Sequence, residues 1–459
     1  MPVPNITDHY LLALFDVLFS SAISEKILLF IFVAGFPLIF RAIVYKYNPE
    51  GIASSSFIIP FTHCTLLYLG AYNFCLSFTF LFIALYYFFK NFSDASKSYP
   101  PLKYVLFFLL ILLNYFTNAI SFLFLFSICG TAELYWLYRQ MRPKAISKTH
   151  IVKRFLFFGG MWIPPFIMLN IFNSAIPGLH HENTLTLPFS LLTKWLYNMQ
   201  CLSVDIPGEG VFTHLNLLWV VITLAIVIYL RIKDKARHRF FLTDIFLLFF
   251  LLTLIAYFSI PEGAGVGMIS DRLLYYLMIF LILWLALQKR LGKIALLLSA
   301  AIMMIHVVFL FNVHYPLLTD LNNDALDVQK ASEYVGPNSV VAVFKIARNP
   351  LEPSISNILG IDKPMVILER YEPDYGWFAV NRTMGKEPQW KVMIFPDNKL
   401  GWVDIKNNKV VKLIDYVLIY GDYNTALATG KSDLQKLEPT YTKVFSSDDS
   451  KVYIFCLNK

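Results

Sequence analysis

Residues 103–138, KYVLFFLLILLNYFTNAISFLFLFSICGTAELYWLY, form an apolar run too long for one membrane crossing, which takes about 20 residues. The run is interrupted once, at the polar patch Asn114-Tyr-Phe-Thr-Asn118, so it is predicted to be two crossings joined by a tight turn. Working outward, further apolar stretches of spanning length lie near 27–45, 72–90, 155–174, 215–232, 241–259, 272–288 and 293–313. A shorter one, residues 54–70, is broken by Pro60 and His63. The sequence therefore predicts about ten crossings, a polytopic all-α membrane bundle.

Composition agrees. Of 459 residues, 57% are hydrophobic and only 15% charged, far from the balance of a water-soluble domain. The net charge of +8 does not indicate nucleic acid, because much of the excess sits in short runs between apolar segments. Two of these runs fix the orientation. Residues 139–154 carry Arg139, Arg142, Lys144, Lys148, Lys153 and Arg154 with no acid, and residues 231–239 carry five Lys/Arg against one Asp. The positive-inside bias makes both cytoplasmic. The loop 175–214, whose one basic residue is Lys194, is then outside, and counting in both directions puts residues 1–25 and everything after 314 outside as well.

Past residue 314 the long apolar runs stop. Ser339–Phe344, Met365–Leu368, Lys391–Phe395 and Asp415–Tyr420 read as strands. Asp320–Val335 and Asn424–Leu437 read as helices, and 441–457 as a hairpin turning at Ser446–Ser450. This predicts three parts: an outer-face amphipathic segment (1–25), a transmembrane domain (26–314) and a small soluble α/β or α+β domain (315–459). The last part has no phosphate loop, nucleophile elbow or metal-ligand cluster. The five cysteines show no metal-type spacing and read as packing residues, with a Cys201–Cys456 disulfide left open.

Candidate chemistry concentrates at the outer mouths of the spans, where a charge is expensive to keep. Arg272, beside Asp271 in GVGMISDRLLYYLMIF, suits bidentate contact with a lipid phosphate. The bland alternative is an interfacial arginine paired with Asp271 or Glu262. His180, His181 and Glu182 offer acid/base or weak metal-binding groups, or simply a hydrated loop. Asp8, Asp16, Glu25, Asp205 and Glu209 could each supply a base or serve as loop and capping residues. His214, His306 and His314 read as structural.

The outer segment with Pro4-Asn5 and His9, the run Ala22-Ile-Ser-Glu-Lys-Ile, and Pro60 followed by Gly70-Ala-Tyr-Asn-Phe resemble the GT-C superfamily of lipid-linked-sugar-dependent glycosyltransferases. In the tail, Tyr371-Glu372, Gly376-Trp377-Phe378 and the Asp415-Tyr-Val-Leu strand resemble the outer domain of bacterial members. The resemblance implies transfer of a sugar from a polyprenyl-phosphate donor to an envelope acceptor at the outer face of a bacterial inner membrane. It also implies a catalytic outer-loop acid and basic residues holding the lipid phosphate. Arg272 matches such a phosphate contact by position, and Asp8, with His9 beside it, is the nearest outside acid. The family's acid follows a leading span, and none precedes residue 26, so an N-terminally truncated or inactive member is also expected. A divalent metal cofactor stays open. The partners expected are the lipid-linked donor and membrane lipid, with no nucleic acid. The competing readings are a polysaccharide polymerase or ligase using the same donor class, and a non-catalytic scaffold or transport component with an outer binding domain.

Overall fold

The computed structural model describes residues 4–93, 99–141, 148–175, 185–233, 241–262, 268–346, 351, 355–369, 390–395, 398–404, 409–421, 423 and 439–458. The chain divides into two compact units, Met1–Phe309 and Leu310–Lys459. In the first, eight helical stretches of the described residues are long and apolar enough to cross a bilayer: Ile23–Tyr47, Tyr72–Asn91, Ala119–Arg139, Arg154–Ser174, Glu209–Lys233, Leu242–Ser259, Ile269–Ala286 and one beginning at Ile294. Pro101–Thr117 is a shorter apolar helix. The chain is a multi-pass membrane protein.

Within the outer-face segment 1–25 the described residues form one short helix and the start of a second. Helix α1 (Thr7–Asp16) ends at Asp16, because Ser20 adopts an extended conformation that starts α2 (Ser21–Val33). Leu11, Leu12 and Phe15 pack on the bundle, while Asp16 is exposed. Helix α3 (Gly35–Tyr47) completes the first crossing. The long apolar run divides at Asn118 into α6 (Pro101–Thr117) and α7 (Ala119–Met141). Asn118 is extended, and its Oδ1 accepts from the backbone N–H of Ile120 and Ser121, capping α7.

The segment interrupted by Pro60 is not an α-helix. Residues Pro49–Thr62 form a 3₁₀ helix, broken near its start by the non-helical Gly51. Past that kink, the 3₁₀ register rises about 2.0 Å per residue, more than the roughly 1.5 Å of an α-helix, so a short stretch follows its neighbours further. The sequence selects this register through its hydroxyls. Ser54, Ser55, Ser56 and Thr62 each donate to the carbonyl three residues back, at 2.7–2.9 Å. Gly51 is required where it stands: a Cβ there would lie 2.2 Å from the Asn48 side chain, whose Oδ1 accepts from the Gly51 N–H.

This segment lies along α12 (Ile269–Ala286), the helix with the smallest share of exposed residues. Asn48 and Ser54 donate to the Ala286 carbonyl at one end, and the Tyr275 hydroxyl donates to the Phe61 carbonyl toward the other. On its far side, Ser299 of α13 (Ile294–Phe309) donates to the Ala53 carbonyl at 2.6 Å. α12 is further tied by Tyr276 to Ser121, and by Trp284 Nε1 to Asp244 at 3.0 Å. Phe74 and Phe78 of α5 (Tyr72–Asn91) pack edge-on against Tyr275.

Basic groups gather at one end of the bundle. Arg154 of α8 (Lys148–Ala175) forms a bidentate pair with Glu133 at 2.7 and 2.9 Å and donates to the Phe92 carbonyl after α5. Arg231 of α10 (Glu209–Lys233) bonds Asp244 and Gln288, and Arg290 reaches the Leu230 carbonyl.

The second unit holds a five-stranded sheet in the order β2-β1-β6-β8-β7: β1 Ser339–Lys345, β2 Met365–Leu368, β6 Tyr416–Tyr420, β7 Tyr441–Ser446 and β8 Val452–Leu457. β1 is parallel to both β2 and β6, and the rest pair antiparallel. Helix α14 (Tyr315–Ser332) contributes Val328 and Ala331 to the core on one face of this sheet. A three-stranded antiparallel sheet, β3 Trp390–Ile394, β4 Leu400–Asp404 and β5 Lys409–Leu413, supplies Leu400 and Trp402 to the core on the other. The reading of four strands and a terminal hairpin agrees with this; β4 and β5 are additions. The predicted helix 424–437 and the tail motif 371–378 lie outside the described residues. The cysteines are free thiols, with no Cys201–Cys456 disulfide.

Ser54→Ala removes the bonds to Gly51 and Ala286 inside the bundle and is expected to cost about 1–2 kcal/mol. Ser56→Ala, whose partly buried hydroxyl among the described residues bonds the Ala53 carbonyl alone, is expected to stay within about 0.5 kcal/mol. Chemical unfolding of the two variants in one detergent reads the difference.

Candidate functional site

A short helical turn, Thr65–Tyr68, ends at Gly70, whose positive φ of 77° lets the chain reverse into α5. Successive side chains on a helix point about 100° apart, so the first three residues of α5 serve three different partners. The Tyr72 hydroxyl donates to Glu25 at 2.6 Å. Asn73 holds Asp8: its Oδ1 accepts from the Asp8 backbone N–H at 3.0 Å, and its Nδ2 donates to Asp8 Oδ1 at 2.5 Å. The Phe74 ring lies under Arg272, with the guanidinium carbon 5.6 Å from its centroid.

Asp8 is delivered by a docked N-terminal strap. The Ile6 N–H donates to the Phe116 carbonyl, Asn118 Nδ2 donates to Asn5 Oδ1, and Thr117 donates to Thr7. Asn73 Nδ2 also donates to the Asn5 carbonyl at 2.7 Å. Asp8 is buried, and its Oδ1 also accepts from the His9 backbone and contacts His9 Nδ1 at 2.5 Å. Among the described residues these bonds all fall on Oδ1, and none reaches Oδ2. The His9 side chain is half-exposed, and its hydrogen bond to Asp8 raises its pKa above the usual 6.5 against the opposing effect of burial.

Arg272 sits in the first turn of α12. That turn is entered through Met268 in the left-handed region, and its amides at Ile269 and Ser270 donate to the Glu262 carboxylate at 2.8 and 3.0 Å. Glu262 is therefore a helix cap. Arg272 forms an ion pair with neither Glu262 nor Asp271 among the described residues, and its Nε is enclosed without a hydrogen-bond acceptor. A buried donor in this state costs free energy until an acceptor arrives. Asp271 lies beside it, half-buried in the same turn.

The structure thus brings Asp8, His9 and Arg272 to adjacent residues of α5. His180, His181 and Glu182 lie outside the described residues. The remaining acids have local work. Glu209 is buried and accepts from Ser203 Oγ and the N–H groups of Val204 and Ile206, fixing the entry to α10, while Asp205 receives Gln200. His306 is buried against His63, with ring centroids 5.1 Å apart, and His214 lies against Tyr197. Among the described residues, no group of three His, Cys, Asp or Glu is placed to hold a metal. Asn73 and Phe74 escaped the sequence reading as site residues, although Tyr-Asn-Phe stood in the stretch carrying the GT-C resemblance. Comparison with family models, with curated proteins and with solved structures gave no match.

Because the folded pKa of His9 lies above its unfolded value, its contact with Asp8 stabilises fully below about pH 6.5 and fades as pH rises through the folded pKa. Half-exposure keeps the effect small, about 0.5 kcal/mol or less. The difference in thermal midpoint between the natural chain and His9→Ala is expected to narrow between pH 6 and 8.5. A difference constant across that range contradicts the assignment.

Proposed function

We propose that this chain is a GT-C-like membrane glycosyltransferase that moves a sugar from a polyprenyl-phosphate donor to an envelope acceptor. One observation supports the reading: an arginine whose enclosed Nε has no acceptor among the described residues and a buried carboxylate contact consecutive residues, Phe74 and Asn73, of one helix turn. Sidedness follows from charge. The basic end faces the cytoplasm of a bacterial plasma membrane, which puts the site end and the domain after residue 314 on the outer face.

In this reading Arg272 takes the donor phosphate, gaining the acceptor that its Nε lacks, and stabilises negative charge as the sugar–phosphate bond breaks. The acceptor hydroxyl attacks the anomeric carbon, and its proton passes to Asp8 Oδ2. Asn73 and His9 hold Oδ1 and so orient the carboxylate. The lipid phosphate leaves with the bonding electron pair, so no redox partner is needed.

A polymerase or ligase with the same donor class is a second reading, favoured by the segment 185–208. Thr65 Oγ1 donates to the carbonyls of Gln200 and Ser203, and Leu185 exchanges two backbone bonds with Glu262, so this segment is fastened beside the start of α12.

Binding of polyprenyl phosphate to the chain in nanodiscs is expected to weaken at least tenfold in Arg272→Gln and to persist in Asp8→Asn. Turnover of a panel of polyprenyl-phosphate sugars is expected to be lost in both variants. Unchanged binding in Arg272→Gln removes the phosphate assignment, and products longer than one added sugar favour the polymerase.

A further inference from the structure

Of the five cysteines, Cys64 and Cys75 stand apart: among the described residues theirs are the sulfurs in contact, Sγ to Sγ at 3.9 Å. They lie 11 positions apart, one on either side of the Gly70 reversal. Both are buried, at 0% and 1% exposure. A disulfide holds its sulfurs about 2.05 Å apart, so an approach of about 2 Å separates the present contact from a covalent bond.

The backbone on both sides of the pair is held in place. Cys64 starts the Thr65–Tyr68 turn, and its carbonyl accepts from the N–H groups of Leu67 and Tyr68. The Gly70 and Ala71 amides then donate back to the carbonyls of Leu67 and Leu66, closing the reversal. Cys75 sits in the first turn of α5, its N–H donating to the Ala71 carbonyl at 3.1 Å. Two fixed ends thus deliver the thiols to each other, as an intramolecular disulfide requires. The bond would join the residue beside Thr65, which fastens the Gln200 and Ser203 carbonyls, to the residue beside Phe74, on which Arg272 lies. It would therefore pin both ends of the reversal that presents Asn73 and Phe74.

The surroundings favour the oxidised form. Cys75 is two residues beyond Asn73, at the end of the bundle that the charge pattern puts outside, where structural disulfides form and persist. This step rests on the sidedness proposed above; the contact between the sulfurs does not.

We propose that Cys64 and Cys75 are a disulfide site, closed by thiol–disulfide exchange into a staple across the Gly70 reversal. The oxidant is a second disulfide, X–S–S–X. One thiol gives up its proton and attacks it, forming a mixed disulfide and expelling the first X–S⁻. The second thiol gives up its proton and attacks the cysteine sulfur of the mixed disulfide, expelling the other X–S⁻. One S–S bond replaces another, and the two electrons and two protons end on two X–SH.

The test reads one peptide. No Lys or Arg lies between Lys46 and Lys90, so trypsin releases residues 47–90 as a fragment that holds Cys64 and Cys75 and no other cysteine. Cells expressing the full chain are quenched with a membrane-permeant maleimide, and the chain is then denatured in the same reagent and digested. The fragment is expected to carry no maleimide, and to take up two only after reduction. In a second arm the purified chain is reduced, freed of reductant, treated with dipyridyl disulfide and quenched in the same way. The same closed fragment is expected, with a thermal midpoint about 3 °C or more above that of the reduced chain. Cys75→Ser is expected to show no such gain. Two labels on the fragment in both arms, from maleimide or from the oxidant, overturn the proposal. So does a Cys64–Cys201 bond, which leaves one label on Cys75, or a closed fragment with an unchanged midpoint. Closure in the purified chain with open thiols in cells upholds the disulfide site and overturns the outer-face placement instead. The fragment is read on the natural chain, so the answer stands even if Cys75→Ser does not fold.

Discussion

No water in a bilayer core can take up a stray backbone N–H or carbonyl, and that constraint shapes the whole bundle. A 3₁₀ segment crosses it, and such a segment is tolerated only where protein surrounds it. α12 is the surrounding element on one side and α13 on another, and Ala286, Phe61 and Ala53 are the carbonyls through which they are joined. Lipid is kept off α12 over most of its length, which is why its tyrosines can hold hydroxyl partners instead of facing hydrocarbon.

The site inherits its geometry from this arrangement. The 3₁₀ crossing delivers the chain to Gly70, and the reversal there presents Tyr72, Asn73 and Phe74 to three neighbours at once. Glu262 already occupies the amides at the start of α12, so that helix terminus is capped from within the chain. The phenyl cushion under Arg272 holds the cation without neutralising it, unlike the Glu133 carboxylate that closes off Arg154 at the opposite end.

The order of crossings could be read from sequence because hydropathy is additive along the chain, and the break at Asn118 showed as a polar patch. What Asn118 does could not be read: it caps one helix and anchors the N-terminal strap across 113 residues. Pro60 and His63 marked 54–70 as unusual, but the 3₁₀ register rests on serine hydroxyls that composition treats as merely polar. In the tail, β1 and β6 stood out as buried Val/Ile/Leu runs. β5, Lys-Val-Val-Lys-Leu, is exposed along its length, and β4 begins Leu-Gly, so neither has the pattern of a buried strand. Asp8 and Arg272 drew attention as charges at span mouths. Asn73, 65 residues from Asp8, is neutral and common in type, and nothing local marks it as the group that positions the carboxylate.

The Pro49–Thr62 crossing also bears on biogenesis. A stretch with a glutamate, three serines, a threonine and two prolines gains little by entering lipid on its own. Its partners on α12 and α13 lie more than 200 residues downstream and are synthesised later. Until the second half of the bundle is present, the Ser54 hydroxyl and the Ala53 carbonyl lack the partners they hold on α12 and α13. The closure of this part of the bundle thus depends on contacts between its first and last thirds rather than on each segment's own hydropathy.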